Sequence, residues 1–96
     1  MRNVIDDDAI RVDGFDNCLI GLGFQFTSTQ GVKTIALYDR RKCIEHIQEQ
    51  DGISFDDAEE FFEYNIQGTY IGEGMPVFIR ILNKEELHVY TDATGF

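Results

Sequence analysis

Ninety-six residues with 43% hydrophobic content, 12% aromatic side chains and a single proline describe a globular chain with material for one modest core, and exclude a disordered or collagen-like polymer. Eighteen acids against eight Lys and Arg leave a formal charge of −10. That charge repels nucleic acid and anionic membrane at long range and points to basic protein surfaces or cations as partners.

The amino terminus, MRNVIDDDAI, has no apolar run after Arg2 and so does not read as a signal peptide. No segment approaches the length of a membrane span. Residues 1 to 16 hold five Asp and two Arg, a net of −3, and the first thirteen are expected as an acidic, loosely ordered lead-in with a short strand near Ile10 to Val12. The segment NCLIGLGFQFTST then alternates, which predicts a strand with Ile20, Leu22, Phe24 and Phe26 on a greasy face and Gly21, Gly23 and Gln25 on a thin one. The two glycines would let another group approach closely. Gln30-Gly31 predicts a turn, and VKTIALY an antiparallel second strand.

Asp39 is placed to cap a helix running to about Gln50, with Asp51-Gly52 as its stop. Tyr38 and Cys43 suit a hydrophobic staple across that start. Ser54 caps a second helix, with Asp57 at the capping-box position, and Gly68 ends it. TYIG and PVFIRIL read as a hairpin or bulged pair, and LHVYT, in the tail from Asn83, as an edge strand. The order ββααβββ predicts one α+β domain over residues 1–96: an antiparallel sheet of four or five strands with two helices on one face.

The stretch FDDAEEFFEYN holds five carboxylates among four aromatic rings. At 100 degrees per residue, Asp56, Asp57, Glu59, Glu60 and Glu63 fall in one arc of roughly 160 degrees, opposite Ala58, Phe61, Phe62 and Ile66. Tyr64 sits at the boundary. A solvated helix face explains the pattern; an acidic strip for a basic partner is the functional alternative, with Tyr64 and Glu73 as further contacts. Acid–base catalysis needs carboxylates set apart by burial, and these are expected exposed. Asn65 projects into the apolar arc, where a buried amide needs partners.

Arg40, Arg41 and Lys42 concentrate positive charge in the first turn of a helix, against its dipole. With free backbone N–H groups beside them they form, together with Asn65, the candidate anion site; the bland alternative is a surface Arg41–Glu45 pair. Cys43 and His46 are three apart on the same helix, but Cys43 lies on its apolar stripe and reads as a core thiol. Neither Cys18 nor Cys43 belongs to a CxxC pair, so both are expected reduced, in a cytosol. No His, Cys or Asp spacing fits a metal site, and Gly21-Leu22-Gly23 lacks the rest of a dinucleotide fingerprint. No cofactor is expected.

From Tyr38 to Phe78 the chain reads YDRRKCIEHIQEQDGISFDDAEEFFEYNIQGTYIGEGMPVF. It resembles a group of small uncharacterised proteins of bacteriophage and bacterial genomes, whose pattern runs Y-D-x-x-K-C-I-E, then D-G-M-S before an acidic aromatic helix, then E-Y-N-x-x-G-A-W-V-G-E-x-T-P-I-F. Tyr38, Asp39, Lys42, Cys43, Ile44, Glu45, Asp51, Gly52, Glu63, Tyr64, Asn65, Gly68, Gly72, Glu73, Pro76 and Phe78 carry the likeness; GFDNCLIGLG resembles the group's opening strand. Tyr70, Met75 and Ile53 depart from it. The resemblance implies a phage or prophage setting in a host cytoplasm, brings no activity with it, and gives weight to Lys42, Asn65, Gly72 and Glu73 as lining one surface.

The expected function is a non-enzymatic accessory or regulatory protein that binds a host or phage protein with a basic surface, without direct nucleic-acid or membrane contact. A homodimer through an exposed sheet edge is a further expectation. The alternatives are a phosphate or nucleotide binder, or small enzyme, with its anion site at Arg40 to Lys42, and a nucleic-acid mimic using the acidic helix and Asp6 to Asp8.

Overall fold

The computed structural model describes residues 9–94. Two nine-residue strands, β1 (Leu19–Thr27) and β2 (Gly31–Asp39), form an antiparallel hairpin. Its turn is closed by Thr27, whose Oγ1 donates to Gly31 O at 2.8 Å and accepts from Gln30 N at 3.0 Å. Gly31 takes a positive φ of 73°, as a glycine after a short hairpin loop can.

β2 passes into helix α1 (Arg40–Asp51) with no loop between them. Asp39 makes this possible by ending the strand and capping the helix: its Oδ1 accepts from Lys42 N at 3.2 Å. Gly52, left-handed at φ 64°, ends α1 as the Asp51-Gly52 stop requires. Ser54 Oγ accepts from Asp57 N at 3.1 Å and starts α2 (Phe55–Phe62). The chain then widens into one π turn over Glu63–Gln67, where Gly68 N donates to Glu63 O at 2.9 Å. A Cβ at Gly68 would stand 3.0 Å from that same carbonyl, so glycine is needed there for space and not for a left-handed backbone.

The fold is α+β, with three helices and a three-stranded mixed sheet among the described residues. The expected four or five antiparallel strands are not formed. β3 is short (Val77–Ile79) and runs parallel to β2, pairing Leu37 with Val77, Tyr38 with Phe78 and Asp39 with Ile79. Parallel neighbours need a long crossover, and α1 with α2 provides it. TYIG forms no strand, nor does Ile10 to Val12; residues 1–8 of the acidic lead-in lie outside the described part.

LHVYT belongs not to an edge strand but to helix α3 (Lys84–Thr94). Its alternation suits a strand, but a capping box decides otherwise: Asn83 Oδ1 accepts from Glu86 N at 2.8 Å while Asn83 N donates to Glu86 Oε1 at 3.0 Å. The N–H of Asn83, and then Arg80, hold the Glu86 carboxyl below its usual range.

The core gathers Val12, Phe15, Cys18, Ala36, Tyr38, Cys43, Ile44, Ile47, Ala58 and Phe62. Tyr38 is wholly buried at its centre; its ring lies 5.7 Å from that of Phe78, and its hydroxyl oxygen accepts the Val12 N–H at 2.9 Å. Phe62 meets Phe78 edge-on at 4.9 Å. Helices and amino-terminal segment thus close over the Ala36–Tyr38 end of one sheet face.

The rest of that face stays open, contrary to the inward greasy face expected of β1. Leu22–Ala36, Phe24–Thr34 and Phe26–Val32 are cross-strand pairs on it, yet Phe24 is 74% and Phe26 84% exposed. Strands of nine residues reach about 30 Å, whereas twelve helical residues reach only about 18 Å. On the opposite face, where Gln25 pairs with Lys33, the glycine-rich loop approaches: Gly74 N donates to Gln25 Oε1 at 2.8 Å. The thin side of β1 is therefore approached by backbone, as its two glycines suggest, although Gly23 itself meets the Leu37 side chain.

Removing the Tyr38 hydroxyl in Tyr38→Phe should cost about 1–3 kcal/mol in urea unfolding, because the buried Val12 N–H loses its acceptor. A carboxyl whose folded value is depressed contributes stability above its unfolded value and loses it as the pH falls through the folded one. The Cα shifts of α3 should accordingly lose helical character as the solution is acidified below the usual carboxylate range, and Glu86→Gln should largely abolish that loss.

Candidate functional site

Arg40 occupies the helix turn where its charge opposes the dipole, so something must offset it. Two carboxylates do. Its Nη1 donates to Glu59 Oε2 at 3.1 Å and its Nη2 to Glu63 Oε2 at 2.9 Å, while Nε reaches Gln67 Oε1 at 3.3 Å. The guanidinium carbon lies 5.6 Å from the centroid of the buried Phe62 ring. Arg40 is thus a clamp between the start of α1 and the end of α2, and its donors are engaged by protein.

The other two cations of the candidate anion site differ. Arg41 is exposed, 3.9 Å from Glu45 and 5.8 Å from the Phe55 centroid, a surface pair of small worth. Lys42 is exposed and has no ion-pair partner among the described residues. All three line a groove of about 490 Å³ between α1, α2 and the start of α3, together with Arg80. Asp39, Glu45, Glu59 and Glu86 line it too, so four positive groups face four negative ones. An anion entering there meets as many carboxylates as cations, and three of the cations are already paired with acids.

Asn65 is not part of that groove. It is exposed, contrary to its expected inward position, and its Nδ2 donates to Phe61 O at 3.1 Å. The π turn explains the shift: one extra residue in a turn rotates everything after Phe62 away from the phase of a regular helix. Asn65 instead lines a shallow groove with Ile53, Asp57, Glu60, Phe61 and Tyr64. Glu73 is exposed in the loop between Gly72 and Gly74, both at positive φ. Lys42 and Asn65 therefore line separate grooves, and Glu73 lines neither.

The acidic face of α2 is also divided. Asp56, Asp57 and Glu60 are exposed and carry no ion pair among the described residues. Glu59 is half-buried and, with Glu63, serves Arg40. What remains free is a single short row of acids, next to Tyr64 at 77% exposure and Phe61 at 44%. The two rows a nucleic-acid mimic needs are not supplied by α2, and Asp6 to Asp8 lie outside the described residues.

The thiols are structural. Cys18 and Cys43 are both wholly buried, and neither forms a disulfide. Burial raises both thiols, and contact with Cys18 raises Cys43 further, so thiolate chemistry is disfavoured. His46 meets the edge of the Phe15 ring at 5.1 Å and makes no dyad with Cys43. No three His, Cys, Asp or Glu among the described residues are grouped to hold a metal. No helix among them is long and apolar enough to cross a membrane.

No family model, curated protein or solved structure matches the chain.

A cation placed against the helix dipole is the one trace of the Arg40 clamp in the sequence. Arg40→Met should lower stability by about 1–2 kcal/mol in urea, less at high salt. Arg40→Lys should recover only part, since an ammonium cannot fork to two carboxylates.

Proposed function

We propose that the protein is a non-enzymatic accessory or regulatory protein of phage type that works by binding another protein with a basic surface. The observation that carries this reading is the outer side of α2. There, two exposed rings, Phe61 and Tyr64, stand beside the unpaired carboxylates Asp57 and Glu60 in one shallow groove. An aromatic anchor inside a charged rim is the usual anatomy of a recognition patch. The acids would steer a basic segment in and Tyr64 would cover its aliphatic stems. The resemblance to small phage and prophage proteins supports a host or phage protein as the partner, met in the host cytoplasm.

Chemistry at the α1 groove is less well supported. Its charges balance, and its most buried cation, Arg40, already has three acceptors.

Immobilised protein should retain a bacterial-lysate partner at low salt and release it at high salt. The double variant Asp57→Asn/Glu60→Gln and the single variant Tyr64→Ala should each reduce capture about tenfold or more, the loss expected of a central contact. Equal capture by wild type and both variants would refute the assignment to this face.

A further inference from the structure

A different part of the molecule carries an inference that goes beyond that reading. We propose that the open hairpin face bearing Phe24, Phe26 and Val32 is the contact between two copies of this chain, packed face to face.

The three side chains are 74%, 84% and 57% exposed. Phe24 and Phe26 stand two apart on β1, and Val32 is the cross-strand partner of Phe26, so they form one contiguous patch and not scattered apolar residues. At about 150–250 Å² per aromatic side chain, the two rings and Val32 present on the order of 400 Å² of apolar surface. That is the size of the largest patch on a typical monomer, which is often a functional one. With the half-buried Leu22 and Thr34 beside it, the patch offers on the order of 500 Å² per partner, below the roughly 800 Å² of a standard interface and in keeping with a dimer that dissociates on dilution.

Charge selects the occupant. The chain carries eighteen acids, yet none lies between Asn17 and Tyr38, and the single basic residue there is Lys33. Lys33 pairs with Gln25 on the other face of the hairpin. The patch is therefore uncharged on a protein of net charge −10. A basic partner gains nothing by binding there. Two copies of an acidic protein, by contrast, repel each other through most orientations. They can approach closely where neither presents a carboxylate, and a two-fold contact needs the same patch twice.

Packing is by the face and not the edge. Joining two β1 edges would extend the sheet and leave all four phenylalanine rings in water, whereas stacking the faces at about 10 Å buries them.

Sedimentation velocity tests this with the full chain. Wild type should have twice the 11.0 kDa chain mass at about 100 µM and dissociate on dilution. Phe24→Ser/Phe26→Ser should be monomeric with its far-ultraviolet helix signal kept, because these rings lie outside the core cluster. Val32→Lys, which sets two like charges across the contact but leaves the β1 edge intact, should also be monomeric. Should the double variant fail to fold, an amide dilution series on wild type decides: the proposal requires shifts centred on residues 20–34. A monomeric wild type at that concentration, a Val32→Lys dimer, or dilution shifts centred elsewhere overturns it.

Discussion

Everything in this structure hangs on the passage from β2 to α1, where three successive side chains do three separate jobs without a connecting loop. Tyr38 is the last core residue of the strand and holds the amino-terminal segment through the Val12 N–H. Asp39 ends the strand and caps the helix. Arg40 reaches across to Glu59 and Glu63 and so sets α2 against α1. Each depends on the others, because Arg40 can point at α2 only if α1 starts at that residue, and α1 starts there because Asp39 satisfies the Lys42 N–H of its first turn. β3 completes the junction, with Phe78 against both Tyr38 and Phe62.

That junction has a consequence for what the surface offers. Clamping Arg40 withdraws Glu59 and Glu63 from the acidic face and withdraws the guanidinium from the basic groove. A stretch that looks like five free acids becomes three, and a triplet of cations becomes one forked ion pair, one weak surface pair and one Lys. Electrostatic groups close enough to pair satisfy each other first; only the remainder is available to a partner. The free remainder on α2 is flanked by exposed aromatic rings, and that combination makes this face a better candidate for recognition than the groove at α1.

Much of the local structure was legible from residue patterns. Asp39, Gly52 and Ser54 mark the helix ends that they do mark, and the hairpin is announced by its alternation and by Gln30-Gly31. Ala58 and Phe62 are buried and Asp56, Asp57 and Glu60 are wet, as their spacing requires, whereas Phe61, projected into the same apolar arc, is exposed. Other expectations went the other way. Asn65 faces solvent because a π turn broke the phase that placed it inward. The tail became a helix because Asn83 and Glu86 form a reciprocal cap, a signal present in the sequence but outweighed there by the alternation of LHVYT. β3 lies parallel to β2 because two helices intervene.

Short-range chemistry, then, is what this sequence determined by itself: caps, turn, strand alternation, the segregation of acids from core residues on α2, and the burial of Cys43. These depend on neighbours within a few positions, and physical preferences at that range are written in the order of residues. The tertiary structure alone decided which charges find each other and which apolar faces are covered. Arg40 and Glu63 are 23 positions apart, and Phe24 is left bare because no helix packs over its part of the hairpin. Such outcomes follow from element lengths and packing distances in space, which no local pattern encodes.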